Sequence, residues 1–224
     1  MIRNREEAGR MLADKLSHYR NDPAALILAL PRGGVAVGYQ LSLTLHVPLD
    51  VFITRKIGAP GNPEYAIGAA SETGSLYLNQ AAVSSVGLSR HELDRLIQAQ
   101  EKEIARRKAL YRQGRPLPQL IGRTVLLVDD GIATGSTFMA SALAIRGLQP
   151  RHLVGVIPVG PLSTIREVRA RMDELVLLMT PEPFEAVGNF FVDFTQVEDR
   201  DVVGYLNLAE EALLKRTVLG KFDS

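Results

Sequence analysis

Short apolar runs alternate along the chain with longer segments of helical pattern. The runs of strand length that are bounded by turn residues are 25–30, 49–54, 124–128, 152–158 and 174–180. Between them, 35–45 and 136–146 have the length and apolar content of buried helices. A strand, helix, strand order is typical of parallel sheets, so the pattern predicts an α/β fold.

Two further helices are predicted from their first residues. Asn4 and Glu7 have the spacing of a capping box, and the helix that follows has one apolar face suited to cover the sheet. Ser89 and Glu92 repeat this spacing at the start of a long charged helix over 89–111. Both segments are therefore expected to be helices that begin at a capping side chain.

Residues 56–120 interrupt the simple alternation, with turns and weak strands before the long helix. We interpret this stretch as an insertion within a single domain spanning 1–224. Two readings of its long helix stay open. It is either a solvated helix of structural use or part of an arm that closes over substrate.

Composition and charge exclude several classes of protein. The absence of cysteine excludes disulfides, thiolate zinc sites and thiol nucleophiles. The net charge of +1, with basic and acidic residues interleaved, gives no field that favours nucleic acid, so no nucleic-acid partner is expected. No apolar run reaches membrane-spanning length and no signal pattern opens the chain, so we expect a cytoplasmic protein without a membrane partner.

The segment after the third predicted strand combines two acids with a hydroxyl-rich loop. Asp129 and Asp130 follow the apolar run directly. The loop that opens the next helix contains Gly131, Thr134, Gly135, Ser136 and Thr137. Glycine amides and a helix N-terminus suit a phosphate, whereas the acids would repel it and should meet hydroxyls or a metal ion. A ribose 5-phosphate satisfies both demands; the alternative is that the acids and threonines only cap turns and helix.

A second candidate anion site is the PRGG segment after the first predicted strand. Gly33 and Gly34 allow close backbone approach to an anion, and Arg32 can fork onto phosphate oxygens. Arg55 and Lys56 follow the second predicted strand and should lie at the ligand end of the sheet, with Lys56 favoured. An ordinary glycine turn and solvated basic residues are the alternatives.

The segment VLLVDDGIATGST resembles the signature of type I phosphoribosyltransferases. The resemblance implies a Rossmann-like parallel sheet with an inserted helical arm at 56–120, a small C-terminal hood at 181–224 and an unusual cis peptide near Arg32 and Gly33. It also implies that Asp129 and Asp130 hold the ribose hydroxyls of 5-phosphoribosyl diphosphate, and that residues 133–137 surround its 5-phosphate.

Ala133 stands where hypoxanthine-guanine enzymes, which the segment also resembles, carry an aspartate directed at the purine. The reaction that the family resemblance implies is transfer of the phosphoribosyl group to a nitrogen nucleophile, such as a nucleobase, with release of diphosphate, as in nucleotide metabolism. Since the aspartate is missing, the nucleophile is unidentified. The implied cofactor is Mg²⁺, held mainly by the substrate, with Asp129 and Asp130 as candidate protein ligands.

Three questions stay open at this stage. The alternative function is a sensor that binds 5-phosphoribosyl diphosphate without transferring its phosphoribosyl group. A receiver-like module, in which an aspartate at a strand end accepts phosphate, would leave the TGST loop without a role. The oligomeric state is undetermined, a homodimer being one option. The phenylalanines of the predicted hood either stack on an acceptor or form core; they are Phe184, Phe190, Phe191 and Phe194.

Overall fold

A computed structural model describes residues 1–219, apart from the side chains of Pro63, Glu64 and 217–219, so the last five residues of the predicted hood, 220–224, lie outside the described residues. The strands β1 to β8 are Ala25–Ala29, Leu49–Val51, Thr54–Ala59, Asn62–Ser71, Leu76–Leu78, Thr124–Val128, His152–Val159 and Glu174–Met179. The helices α1 to α7 are Arg5–Lys15, Gly33–Leu45, Gln80–Val86, Arg90–Arg112, Ser136–Arg146, Leu162–Arg169 and Asp199–Leu219.

A five-stranded parallel sheet in the order β2-β1-β6-β7-β8 forms the centre of the fold. The residues of β1 and β6 are all buried, as their continuous apolar runs predict for strands covered on both faces. Alternate side chains enter two cores. Ile27 packs with residues of α1 and α2, whereas Leu26 and Leu28 pack with residues of α5 and α6. The predicted α/β fold with a parallel sheet is confirmed.

The second predicted strand ends earlier than its apolar run does. β2 stops at Val51, because Ile53 donates its backbone N–H to the Glu72 carboxylate at 2.7 Å and the chain leaves the parallel sheet. Thr54 then begins β3 in a separate sheet. The prediction of one strand over 49–54 was therefore wrong, and Arg55 and Lys56 lie in β3 and not at the end of a central strand.

The arm, the stretch predicted as an insertion at 56–120, begins in the structure with β3 at Thr54. It consists of a three-stranded antiparallel sheet, β3-β4-β5, followed by α3 and α4. α5 packs on β3 and β4, and the buried Ser141 hydroxyl donates to the Thr54 hydroxyl at 2.9 Å. Ser89 caps α4 and Glu92 completes a capping box, as predicted. The arm thus leans on the helix that the hydroxyl-rich loop opens.

A buried ion network fixes the base of the arm. Arg112, at the end of α4, is 2% exposed and binds Glu72, which is 1% exposed, through its guanidinium. The same guanidinium donates to the Asp50 carboxylate at 3.0 Å and to the Val51 carbonyl. The network therefore ties α4 and the end of β4 to β2.

A second set of contacts joins α4 to the C-terminal helix. Arg106 donates to Asp199 Oδ2 at 2.8 Å, and the Tyr111 hydroxyl donates to Asp199 Oδ1 at 2.6 Å. Asp199 is the first residue of α7. One carboxylate thus joins the long helix of the arm to the first turn of α7.

The N-terminal segment pairs with the segment that precedes α7. Ile2 donates its backbone N–H to the Phe190 carbonyl at 3.0 Å and accepts from the Val192 N–H at 2.9 Å. The Asn4 side chain then caps α1 by accepting from the Glu7 N–H at 2.9 Å, as predicted. Within the described residues, no helix combines the length and the apolar character needed to cross a membrane.

We expect Arg112→Met to destabilise the protein by about 3 kcal/mol, because it leaves the buried Glu72 carboxylate without its cation. Chemical denaturation measures the free energy of unfolding. The matched control is Arg115→Met, since Arg115 pairs with Glu210 and both side chains are 54% exposed. The control should cost less than about 1 kcal/mol. Equal costs for the two variants would contradict a structural role for the network.

Candidate active site

Two sequence segments meet at the carboxyl edge of the sheet because β1 and β6 are parallel neighbours. The N–H of Leu30, just after β1, donates to the carbonyl of Val128, the last residue of β6, at 2.8 Å. The PRGG segment and the acid pair therefore start side by side. The peptide bond between Pro31 and Arg32 is cis, next to the position where one was expected.

The turn and the acid pair are in such close contact that the turn requires glycine. A Cβ atom at Gly33 would lie 1.8 Å from Asp130 Oδ2, and one at Gly34 would lie 2.8 Å from the Val128 carbonyl oxygen. Both glycines are the first residues of α2, so the predicted glycine loop is in fact the N-terminus of a helix. That terminus adds positive potential where an anion would lie.

Asp129 is a partly buried residue that also lines the cavity beside the hydroxyl-rich loop. Its Oδ1 accepts the backbone N–H of Asp130 at 2.9 Å. Burial raises the pKa of the Asp129 carboxyl well above its usual value, and the negative charge of Asp130 raises it further. The hydrogen bond from the Asp130 N–H and, to a smaller extent, the positive charge of Arg5 lower the pKa, and they only partly offset these effects.

Arg5, in the first turn of α1, is a site residue that the sequence reasoning missed. Its Nε donates to Asp130 Oδ2 at 2.6 Å, and its Nη1 donates to the Thr195 carbonyl at 2.8 Å. Its guanidinium carbon also lies 3.7 Å from the centre of the Phe194 ring. A cation in the first turn opposes the helix dipole, which was the available signal that Arg5 has an anionic partner outside its helix.

The hydroxyl-rich loop forms an open cradle between β6 and α5. Gly135 caps α5 with a φ of +68°, a conformation that favours glycine. Thr134 is exposed and its Oγ1 lies 3.2 Å from Ser136 Oγ. The Ala133 carbonyl accepts a hydrogen bond from the Thr164 hydroxyl at 2.8 Å. A cavity of about 140 Å³ is lined by Asp129 and by 131–138.

A larger cavity, of about 300 Å³, adjoins the cradle on the side of the arm. It shares Thr134 and Ser136 with the cradle and extends to Tyr77 and Asn79 of the arm. The cradle therefore opens toward both the acid pair and the arm.

The three basic residues predicted for the site, Arg32, Arg55 and Lys56, do not lie together. Arg32 Nη1 is 3.4 Å from Glu198 Oε2, which directs the guanidinium toward the start of α7. In β3, Lys56 is on the same face as Thr54, which contacts α5. Arg55 is on the other face and donates to Gln100 of α4 at 3.1 Å. Of the pair Arg55 and Lys56, Lys56 is therefore the residue on the side of the cradle.

The phenylalanines of the predicted hood pack against the N-terminal segment. Phe191 is 4% exposed and belongs to a small core with Ile2 and Val159. Phe184 and Phe190 stack on each other with ring centroids 5.1 Å apart, and Phe194 packs on Phe191 at 4.9 Å. These contacts favour the core reading for Phe191, and they place Phe194 against Arg5.

Residues 2–176, more than half of the chain, match the family model described as phosphoribosyl transferase domain. Two curated proteins of Mycobacterium tuberculosis, from strains CDC 1551 and H37Rv, are each 39% identical over 206 residues, and their names provisionally describe them as phosphoribosyl transferases. The match covers 92% of this chain and 46% of each relative, so the chain spans about half the length of the curated relatives it matches.

A similar fold is present in a crystal structure of comparable length. The protein TT1426 from Thermus thermophilus is 38% identical in sequence and superposes with a TM-score of 0.77. The match covers 92% of this chain and 97% of that chain. The match therefore extends over nearly the whole of both chains.

We expect Asp129→Asn to raise the unfolding temperature near neutral pH, with the gain shrinking toward about pH 4. Because burial raises the pKa of Asp129 in the folded protein, the folded state holds its proton over a range where the unfolded state has lost it. Wild-type stability therefore falls as the pH rises through this range. Asparagine has no charge to bury and keeps the Oδ1 acceptor.

Thermal unfolding of both proteins between about pH 4 and pH 8 checks this prediction. Asp14→Asn, which removes an exposed carboxylate of α1, is the control for the loss of one negative charge. A wild-type unfolding temperature that rises above that of Asp129→Asn as the pH increases would contradict the prediction.

Proposed function

The chain belongs to the phosphoribosyl transferase domain family, and on that premise we propose that it transfers the phosphoribosyl group of 5-phosphoribosyl diphosphate to a nitrogen nucleophile. The observation that carries the proposal is the contact between the PRGG turn and Asp130 beside an open hydroxyl-rich cradle. Together these elements offer acceptors for sugar hydroxyls and donors for a phosphate and a diphosphate.

The ribose 5-phosphate part of the donor fits the β6 side of the site. In this proposal, Asp129 and Asp130 accept hydrogen bonds from the ribose hydroxyls. The residues around the 5-phosphate are Gly131, Ala133, Thr134, Gly135, Ser136 and Thr137. Backbone amides at the start of α5 and the hydroxyls of this loop would donate to the phosphate oxygens, with the helix dipole adding to the attraction.

The diphosphate part of the donor fits the PRGG side. Gly33 and Gly34 present the N-terminus of α2, whose amides and dipole suit an anion. Arg32 supplies a guanidinium there, and its present partner, Glu198, is half exposed and 3.4 Å away, so that exchange for diphosphate oxygens costs little. Lys56 would approach the same charge from the face of the arm that meets α5.

The reaction exchanges one bond at the anomeric carbon. A lone pair of the acceptor nitrogen forms the new C–N bond, the C–O bond to diphosphate breaks, and diphosphate leaves with that electron pair. The nitrogen then loses its proton. Since positive charge develops on the sugar ring, fixing the ring through its hydroxyls and stabilising the departing anion are the main contributions of these residues.

Magnesium enters the proposal as an ion held by the substrate. Among the described residues no cluster of three acidic or histidine side chains is arranged to hold a metal, and the Asp130 carboxylate is bound to Arg5. An ion coordinated mainly by diphosphate oxygens fits this donor set. When bound, it would neutralise charge on the leaving group.

Acceptor recognition is left to the hood side of the site. Ala133 leaves the loop without the carboxylate that the hypoxanthine-guanine enzymes direct at the purine, which disfavours that contact. Three consecutive basic residues of α4, 106–108, do not favour a nucleic-acid partner. Arg106 and Arg107 both bind Glu103, and Arg106 also binds Asp199. We therefore propose a small-molecule acceptor.

Calorimetric titration with 5-phosphoribosyl diphosphate and Mg²⁺ tests the donor site. We expect the wild-type protein to bind, and Asp129→Asn and Asp130→Asn each to weaken binding by roughly 10-fold or more, because each replaces one oxygen of the carboxyl group by an amide nitrogen, which cannot accept a hydrogen bond from a ribose hydroxyl. Asp14→Asn is the matched control and should bind like the wild type. Unchanged affinity in both site variants would refute the assignment of the acid pair.

Diphosphate release separates transfer from sensing. With the donor, Mg²⁺ and a panel of purines, pyrimidines and small amines, at least one acceptor should cause release. Tight donor binding with no release across the panel would instead support a sensor without transfer activity.

A further inference from the structure

Arg5 makes three directed contacts through one guanidinium. Two of its N–H groups bind the Asp130 carboxylate and the Thr195 carbonyl, and its face lies on the Phe194 ring. The Arg5 and Asp130 side chains are 10% and 16% exposed. A planar fork held at two edges and on one face keeps a single orientation, so the position of Asp130 Oδ2 is fixed as well.

We propose that Arg5 is a positioning residue for the sugar of the donor, one that holds Asp130 in the orientation needed to accept a ribose hydroxyl and joins it to the C-terminal segment. The inference rests on the proposed function, because it assigns Asp130 to the ribose. It goes further, since it adds a residue of α1, far in sequence from the phosphate loop, to the binding of the sugar.

The carboxylate is confined from two sides. Gly33 lies so close to Asp130 Oδ2 that even a methyl group would overlap it, and Arg5 Nε binds the same oxygen at 2.6 Å. A carboxylate offers about four acceptor positions, so these contacts leave capacity for a sugar hydroxyl while they remove rotational freedom. Pre-ordering of this kind lowers the entropic cost of binding.

A purely structural role does not account for the bond to Asp130. The N-terminal segment is already joined to the segment before α7 by backbone hydrogen bonds of Ile2 to Phe190 and Val192. The placement of Arg5 in the first turn of α1 opposes the helix dipole, which is a cost that the Asp130 carboxylate offsets.

The same guanidinium connects the sugar site to the hood. Phe194 and Thr195 belong to the C-terminal segment, and both contact the guanidinium that binds Asp130. A change in the position of that segment would therefore shift the carboxylate. In this way occupancy on the hood side and affinity for the sugar become coupled through Arg5.

Two probes that occupy different halves of the donor site test the inference by calorimetry. Ribose 5-phosphate would need the acid pair, whereas diphosphate with Mg²⁺ would need the PRGG side. We expect Arg5→Gln to weaken ribose 5-phosphate binding by roughly 10-fold or more and to change diphosphate binding less than about 2-fold. Arg5→Lys keeps the charge without the fork and should restore part of the loss.

Two further variants complete the experiment. Arg10→Gln, at an exposed position of the same helix, is the matched control and should bind both probes like the wild type. Phe194→Leu removes the stacking face without touching the carboxylate, so it should weaken ribose 5-phosphate binding to a smaller degree, about 3-fold, and leave diphosphate binding unchanged.

The outcomes are distinguishable. Equal losses for both probes, or a lower unfolding temperature with the ratio of the two affinities unchanged, would show that Arg5 only stabilises the fold and would overturn the proposal. A wild-type protein that binds neither ribose 5-phosphate nor 5-phosphoribosyl diphosphate would overturn the proposed function itself, and this inference with it.

Discussion

The backbone of Gly33 lies where any side chain would overlap the carboxylate of Asp130, and the candidate site depends on this contact. It exists because β1 and β6 are parallel neighbours whose carboxyl ends bring a glycine turn and an acid pair to one edge of the sheet. The N-termini of α2 and α5 begin at the same edge. Positive helix ends and negative carboxylates thus alternate across a short distance, which suits a ligand that carries both hydroxyl and phosphate groups.

Local pattern was sufficient for most of the fold. The apolar runs predicted the parallel strands, and the capping residues Asn4 and Ser89 predicted where two helices begin. The meeting of PRGG with the acid pair could also be predicted, because parallel strands end at a common edge. The family expected from VLLVDDGIATGST is the family to which the chain belongs.

Features that depend on distant partners could not be predicted in this way. The run 49–54 reads as one strand, but the N–H of Ile53 donates to the Glu72 carboxylate of the arm. The run is therefore split between two sheets, and Lys56 lies in the second one. Arg5 reads as one more charge on an amphipathic helix, because its partner is Asp130, more than a hundred residues away. Sequence periodicity reports which face of an element is buried, and it carries no information on which charge lies opposite.

The shared carboxylate of Asp199 has a consequence for how the site can move. It binds Arg106 and Tyr111 of the arm at the first residue of α7, while Arg112 anchors the end of the same arm helix to the sheet. The arm and the C-terminal segment are therefore joined to each other through the Asp199 carboxylate. A shift of α4 would displace the start of α7 with it, so the two segments would move as one unit.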